Sequence, residues 1–197
     1  MPITIPPARR RRARRGRYHL SDPYFRFYFR FIAPYHDELT YNPERVLSHI
    51  REGLRPFVGM TAFEELGRRW VAEQGRAGKL PFEVADNKHP VEVGSHWSRG
   101  VQLDVVAVDW REREILLGEC KWGADKVRRS VIRELVDTKT PRVLKVLPDG
   151  EGWKVHYAFF ARAGFTGAAR AEAEAVGASL VDLERLDADL RRALERE

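Results

Sequence analysis

Three apolar runs rich in β-branched residues crowd into residues 91–122: "VEVGSHW" (91–97), "VQLDVVAVDW" (101–110) and "REILLGECKW" (113–122). Their composition and close spacing predict an antiparallel meander. A helix over "DKVRRSVIRELVD" follows, with Val127, Val131, Ile132, Leu135 and Val136 turned inward, and then a fourth strand, "WKVHYAFFA" (153–161). A helix over "AARAEAEAV", a short strand "ASLVDL" and a C-terminal helix complete the pattern. Each added helix needs a sheet face to cover, so the expected architecture is an α/β/α sandwich.

Ahead of the strands, a helix is predicted from Pro56 to Gln74. At 100° per residue, Phe57, Met60, Phe63, Leu66, Gly67, Trp70 and Val71 share one face, and Glu64 falls inside that stripe. Glu64 is either an acid aimed at the interior or the second half of a T-x-x-E capping box with Thr61. Further upstream, "SDPYFRFYFRFIAPY" (21–35) opens with Ser21 or Asp22 as cap and Pro23 in the first turn. Six aromatics between Tyr24 and Phe31 crowd nearly every side of it, which predicts a segment buried against the body or against a missing neighbour. "NPERVLSHIREGL" adds a helix capped by Asn42, with Val46, Leu47, Ile50 and Leu54 on one side. The expected organisation is a basic, disordered arm (1–17), an aromatic-rich helical connector (18–55) and a folded α/β domain (56–197).

Charge and composition restrict the function classes. Residues 9–17, "RRRRARRGR", hold seven arginines, leaving 28 Lys and Arg against 29 Asp and Glu elsewhere. The net charge of +6 therefore resides in the arm, which could serve nucleic-acid phosphates or an anionic surface, while the folded body is near neutral. No apolar run approaches the ~20 residues of a membrane-spanning helix, and the first residues lack the apolar core of a secretory leader. The cytoplasm is the expected compartment, with no membrane partner. The single cysteine, Cys120, excludes an internal disulfide or a cysteine-based zinc cluster.

The second and third strands carry the candidate chemistry. If they form a hairpin with its tip at Arg111 and Glu112, Asp104 lies opposite Glu119 and Gln102 opposite Lys121, with all four on one face. A one-residue slip would separate the two acids. Adjacent carboxylates repel unless a cation lies between them. Magnesium accepts one or two carboxylates together with phosphate oxygens. Asp104 and Glu119 suit that role, with the Cys120 backbone carbonyl as a third ligand. Lys121 would orient or help deprotonate a water, and Glu64 would sit close by. A structural salt bridge on a solvated sheet face is the competing reading. The Cys120 side chain faces away from the charges and is read as a small core residue. Arg99, Lys126, Arg128 and Arg129, with Arg133, are candidates for phosphate contacts or for an ordinary solvated surface.

The order αβββαβ and the D-x14-E-x-K pattern of Asp104, Glu119 and Lys121 resemble the PD-(D/E)XK nuclease superfamily, with Glu64 matching its first-helix acid. Longer blocks, "GRYHLSDPYFRFYFRFIAP", "FVGMTAFEELGRRWV", "LDVVAVD", "LLGECKW" and "FFARAGFTGAAR", look like the C-terminal nuclease-like domain of archaeal and bacterial AAA+ type (DEXX-box) ATPases. The resemblance implies a restriction-endonuclease-like fold with a mixed sheet and an Mg²⁺- or Mn²⁺-dependent DNA endonuclease activity. It implies DNA and an AAA+ type ATPase chain or domain as partners, with a homodimer left open. A noncatalytic DNA- or protein-binding module of such an ATPase system is the alternative. The chain departs from the family in two respects. Gln102 stands where an acid is expected two residues before Asp104. No G-x-x-x-x-G-K-[ST] occurs, since "GRAGK" at 75–79 has the wrong spacing, so nucleotide hydrolysis by this chain is not expected.

Overall fold

A computed structural model of the chain describes residues 20, 22–80, 91–98 and 100–195. The basic arm and Arg99 lie outside the described residues. The described residues form two compact units that part between Phe63 and Glu64.

In the first unit, helix α1 (Pro23–Phe27) starts where Asp22 Oδ1 accepts the Tyr24 amide at 2.7 Å. A π-helical turn (Tyr28–Ile32), a 3₁₀ turn (Ala33–Tyr35) and α2 (Glu38–Tyr41) follow. Helix α3 (Pro43–Phe57) is capped by Asn42, with Pro43 in its first turn. Phe31 is buried between the rings of Phe27 and Phe57, with centroids at 5.3 and 5.2 Å. Gly53 permits this, since a Cβ there would lie 2.7 Å from Phe31 Cε1. Of the aromatic segment, expected to be buried against the body or against a missing neighbour, Phe31 is inside, while Tyr24 and Phe29 are 65% and 56% exposed. Six rings on a short helical stretch cannot all reach one partner surface. Of the four apolar side chains expected on one side of α3, Val46 is buried while Leu47 and Leu54 remain exposed.

The break expected at Pro56 does not occur there. Pro56 lies inside α3, a π-helical turn occupies Val58–Phe63, and α4 spans Glu64–Arg76. Thr61 sits within the π-helical turn and donates its hydroxyl to the Phe57 carbonyl at 2.6 Å, the back-bond of a mid-helix threonine. It is therefore not the N-cap of a capping box.

The second unit is an α/β/α sandwich around a five-stranded mixed sheet of order β1-β2-β3-β4-β5. Strands β1 (Glu92–Trp97), β2 (Gln102–Asp109) and β3 (Glu114–Lys121) form the antiparallel meander. β4 (Lys154–Ala161) and β5 (Ser179–Asp182) extend it in parallel. Together with α4, the strands follow the αβββαβ order expected of the restriction-endonuclease-like fold.

Helix α5 (Arg129–Arg133), a π-helical stretch (Glu134–Lys139) and α6 (Thr140–Leu144) connect β3 to β4, while α7 (Gly167–Ala175) connects β4 to β5. On one face, Ile132, Leu135, Val143, Ala169 and Ala173 pack with Val106, Val108, Ile115, Leu117 and Phe159. On the other face, α4 crosses the sheet at Gly67, where a Cβ would meet Cys120 Sγ at 3.1 Å and Val105 Cγ2 at 3.4 Å. There Trp70 packs edge-on against Phe160 and donates its indole N–H to Asp189 of α8 (Leu183–Leu194) at 2.8 Å. The helix expected over 125–137 begins later than predicted. Val127 instead forms a parallel bridge with Phe165, so its amide and carbonyl are committed outside any helix.

Candidate functional site

The hairpin register places Val105 opposite Gly118 and Asp109 opposite Glu114, the alignment expected from a tip at Arg111 and Glu112. Asp109 Oδ1 accepts the Arg111 and Glu112 amides at 2.9 and 3.0 Å, and Arg113 takes φ +56°. The connection thus closes without Asn-Gly or Asp-Gly.

Where β2 passes β1 the pairing shifts between Gly94 opposite Val106 and His96 opposite Leu103, so Asp104 and Val105 together face one residue. A bulge of this kind re-aims side chains. Consequently Leu103 and Val106, three apart in sequence, both enter the same core cluster. The strict alternation that put Gln102, Asp104, Glu119 and Lys121 on one face is therefore replaced. The ladder with β3 stops at Val105, and Asp104 continues it through its side chain, Oδ2 accepting the Cys120 amide at 2.9 Å.

Glu119 is only 3% exposed. Lys121 Nζ meets its Oε2 at 2.9 Å, and Lys139 Nζ, from the π-helical stretch, donates to its Oε1. Lys139 also donates to the Gln102 carbonyl at 3.1 Å. From the other side of the sheet, Arg68 of α4 donates to the Asp104 carbonyl at 2.9 Å and lies 3.6 Å from Glu64. The three acids Glu64, Asp104 and Glu119 are thus accompanied by three cations, Arg68, Lys121 and Lys139.

Electrostatics at this site follow from burial and crowding. Burial and the neighbouring Asp104 raise the Glu64 carboxyl from 4.5 to about 6, against the opposing pull of Arg68. Burial and Glu119 push Asp104 up, while the Cys120 amide, Lys121 and Lys139 pull it back. Burial draws Lys121 downward, but Glu119 and Asp104 outweigh it and leave the ammonium above its ordinary range. The Cys120 thiol, half-buried against Gly67, is pushed up by burial, Asp104 and Glu64.

Asp104, Glu119 and Lys121 thus gather at neighbouring ends of β2 and β3, and Glu64 lies near enough for the charges of Asp104 and Glu119 to raise its carboxyl. The Cys120 amide is committed to Asp104. Among the described residues, no group of three or more His, Cys, Asp and Glu side chains is arranged to hold a metal ion. The expected phosphate contacts fare differently. Lys126 and Arg128 are exposed residues ahead of α5, not on a helix face. Arg129 and Arg133 both pair with Glu172 of α7, Arg133 at 3.1 Å, and both remain about half exposed. Arg68 and Lys139 were missed in the sequence. Arg68, one turn after Glu64, carried an i,i+4 signal. Lys139 carried none. Among the described residues no helix is long and apolar enough to cross a membrane.

Residues 28–133 match the model of the DUF234 family, described as archaea bacterial proteins of unknown function. Over 128 residues the chain is 27% identical to the uncharacterized protein MJECL04 of Methanocaldococcus jannaschii, covering 63% of this chain and 27% of that relative's length. Among solved structures it is similar to a repair endonuclease from Pyrococcus abyssi, with TM-score 0.38 and 18% identity, covering 61% of this chain and 46% of the other. It is also similar to the MspJI restriction endonuclease in complex with a 27-mer oligonucleotide, with TM-score 0.41 and 18% identity, covering 72% and 30%.

Proposed function

The chain belongs to the DUF234 family, and from that premise we propose that it is a metal-dependent DNA endonuclease-like domain hydrolysing phosphodiester bonds in the cytoplasm with an AAA+ type ATPase chain or domain. The observation that carries this reading is the convergence of Glu64, Asp104, Glu119 and Lys121 where α4 meets β2 and β3. The D-x14-E-x-K spacing and the long sequence blocks support it further; the ATPase partnership rests on those blocks alone.

The donor set fits a magnesium site of the open kind. Asp104 is held above its ordinary pKa partly by Glu119, a repulsion that a divalent cation relieves. Asp104 and Glu119 would hold the ion, with the Cys120 carbonyl as a third oxygen donor and substrate completing the set. Bound there, Mg²⁺ or Mn²⁺ supplies polarisation of a phosphoryl oxygen and a more acidic water. The Lys121 ammonium offsets charge developing on the phosphate and orients the attacking group. Glu64, with its carboxyl near neutrality's acid side, supports the site with a proton it can hold or release, and Arg68 fixes its position.

A second reading, a noncatalytic DNA- or protein-binding module, is favoured by one observation: both Glu119 oxygens already hold ammonium groups. Incubating branched, single-stranded and supercoiled DNA with Mg²⁺ or Mn²⁺ separates the readings. Cleavage by the wild type that is lost in Asp104→Ala and Lys121→Ala is the expected result. Equal cleavage by all three proteins would overturn the site, and no cleavage with no metal binding would favour the module.

A further inference from the structure

Lys139 has no place in the D-x-E-x-K pattern, yet it touches the most buried acid of the site. Its side chain is 19% exposed and tethered at two points, the Gln102 carbonyl at 3.1 Å and Glu119 Oε1. It stands at the end of the π-helical stretch Glu134–Lys139, and extra-residue turns of this kind recur at functional sites. With Arg68 and Lys121 it leaves the three acids without net charge, so a divalent ion would approach a site that is already neutralised.

Of the two ammonium groups on Glu119, Lys139 is the one with a second acceptor to retain when that contact is given up. Arg68 holds the Asp104 backbone, not Glu119. Lys121 rides on β3 beside Glu119 and takes the other carboxylate oxygen. Lys139, released from Glu119, would keep the Gln102 carbonyl within reach at the exposed start of β2, open to a phosphate.

Resting on the metal-site reading above, we propose that Lys139 is a resident counter-cation of Glu119 that a divalent ion displaces and that then holds a DNA phosphate. Metal and DNA binding are coupled through this exchange: the ion frees the ammonium, and the phosphate stabilises the freed position. Lys139 is a positioning residue for Glu119 without metal and a phosphate contact with it.

Calorimetric titration of DNA-free protein with Mn²⁺ tests the proposal, comparing wild type with Lys139→Met, Lys139→Gln and Asp104→Asn. Losing a charge-assisted contact that competes for Glu119 should tighten Mn²⁺ binding on the order of tenfold in both Lys139 variants. In Ca²⁺, a fluorescent oligonucleotide should bind Lys139→Met more weakly, with the slope of log affinity against log salt reduced by about one. Mn²⁺ binding that disappears in Asp104→Asn but is no tighter in either Lys139 variant would overturn the exchange and leave the metal site standing. Mn²⁺ binding by none of the four proteins would overturn both.

Discussion

Replacing Glu64 with glutamine should make the protein more stable at neutral and alkaline pH, and the gain should vanish in acid. Glu64 opens α4 beside Asp104, and burial, with that neighbour, moves its carboxyl from 4.5 to about 6. The folded state therefore holds the Glu64 proton to higher pH than the unfolded state does. At 1.36 kcal/mol per tenfold change in proton affinity, the ionised group costs the fold about 2 kcal/mol when pH is well above 6. Because the side chain is 27% exposed, screening by solvent trims this to about 1–2 kcal/mol. The cost is absent below 4.5, where both states are protonated, and grows as pH rises through the window from 4.5 to about 6. Glutamine never ionises, so Glu64→Gln escapes the cost. Asp104 titrates in both proteins and cancels to first order in the difference. Urea unfolding in EDTA at about pH 8 and about pH 4 measures the two limits through the midpoint at constant slope. A gain of the same size at both pH values would refute the electrostatic argument, as would a variant less stable than wild type at the higher pH.

Other substitutions probe the scaffold that holds the acids. Gly118→Ala would place a Cβ 2.9 Å from Val105 Cβ and 3.2 Å from the Ala158 carbonyl, so overpacking should cost about 1–3 kcal/mol in urea unfolding; an unchanged midpoint would show that the strands part freely. Thr166 Oγ1 accepts the Ala169 amide at 3.2 Å and caps α7, so Thr166→Ala should lower stability by about 1 kcal/mol. Cys120, with its thiol pushed up by burial, should resist alkylation in the native protein and react once urea unfolds it; rapid native labelling would contradict the packing under Gly67.

How much of this was legible in the sequence depends on the range over which each feature is decided. The hairpin register was legible because an apolar alternation on each side of a short tip leaves few alignments that keep both faces dry. The bulge at Asp104 and Val105 was not, since it arises from the pairing of β2 with β1, and neither strand alone shows the extra residue. Asp104 meets the Glu119 end of β3 in spite of that irregularity, through its bond to the Cys120 amide. The pairing of Arg129 and Arg133 with Glu172, 43 and 39 residues away, was not legible because only the packing of α5 on α7 brings it to them. Lys139 lies 20 residues past Glu119, and a π-helical stretch sets its direction, so a period of 3.6 cannot point it at the site. The spacing D-x14-E-x-K records which acids can meet across two strands. The charge those acids carry is offset by Arg68 from α4 and Lys139 from the crossover, two cations that the spacing leaves out.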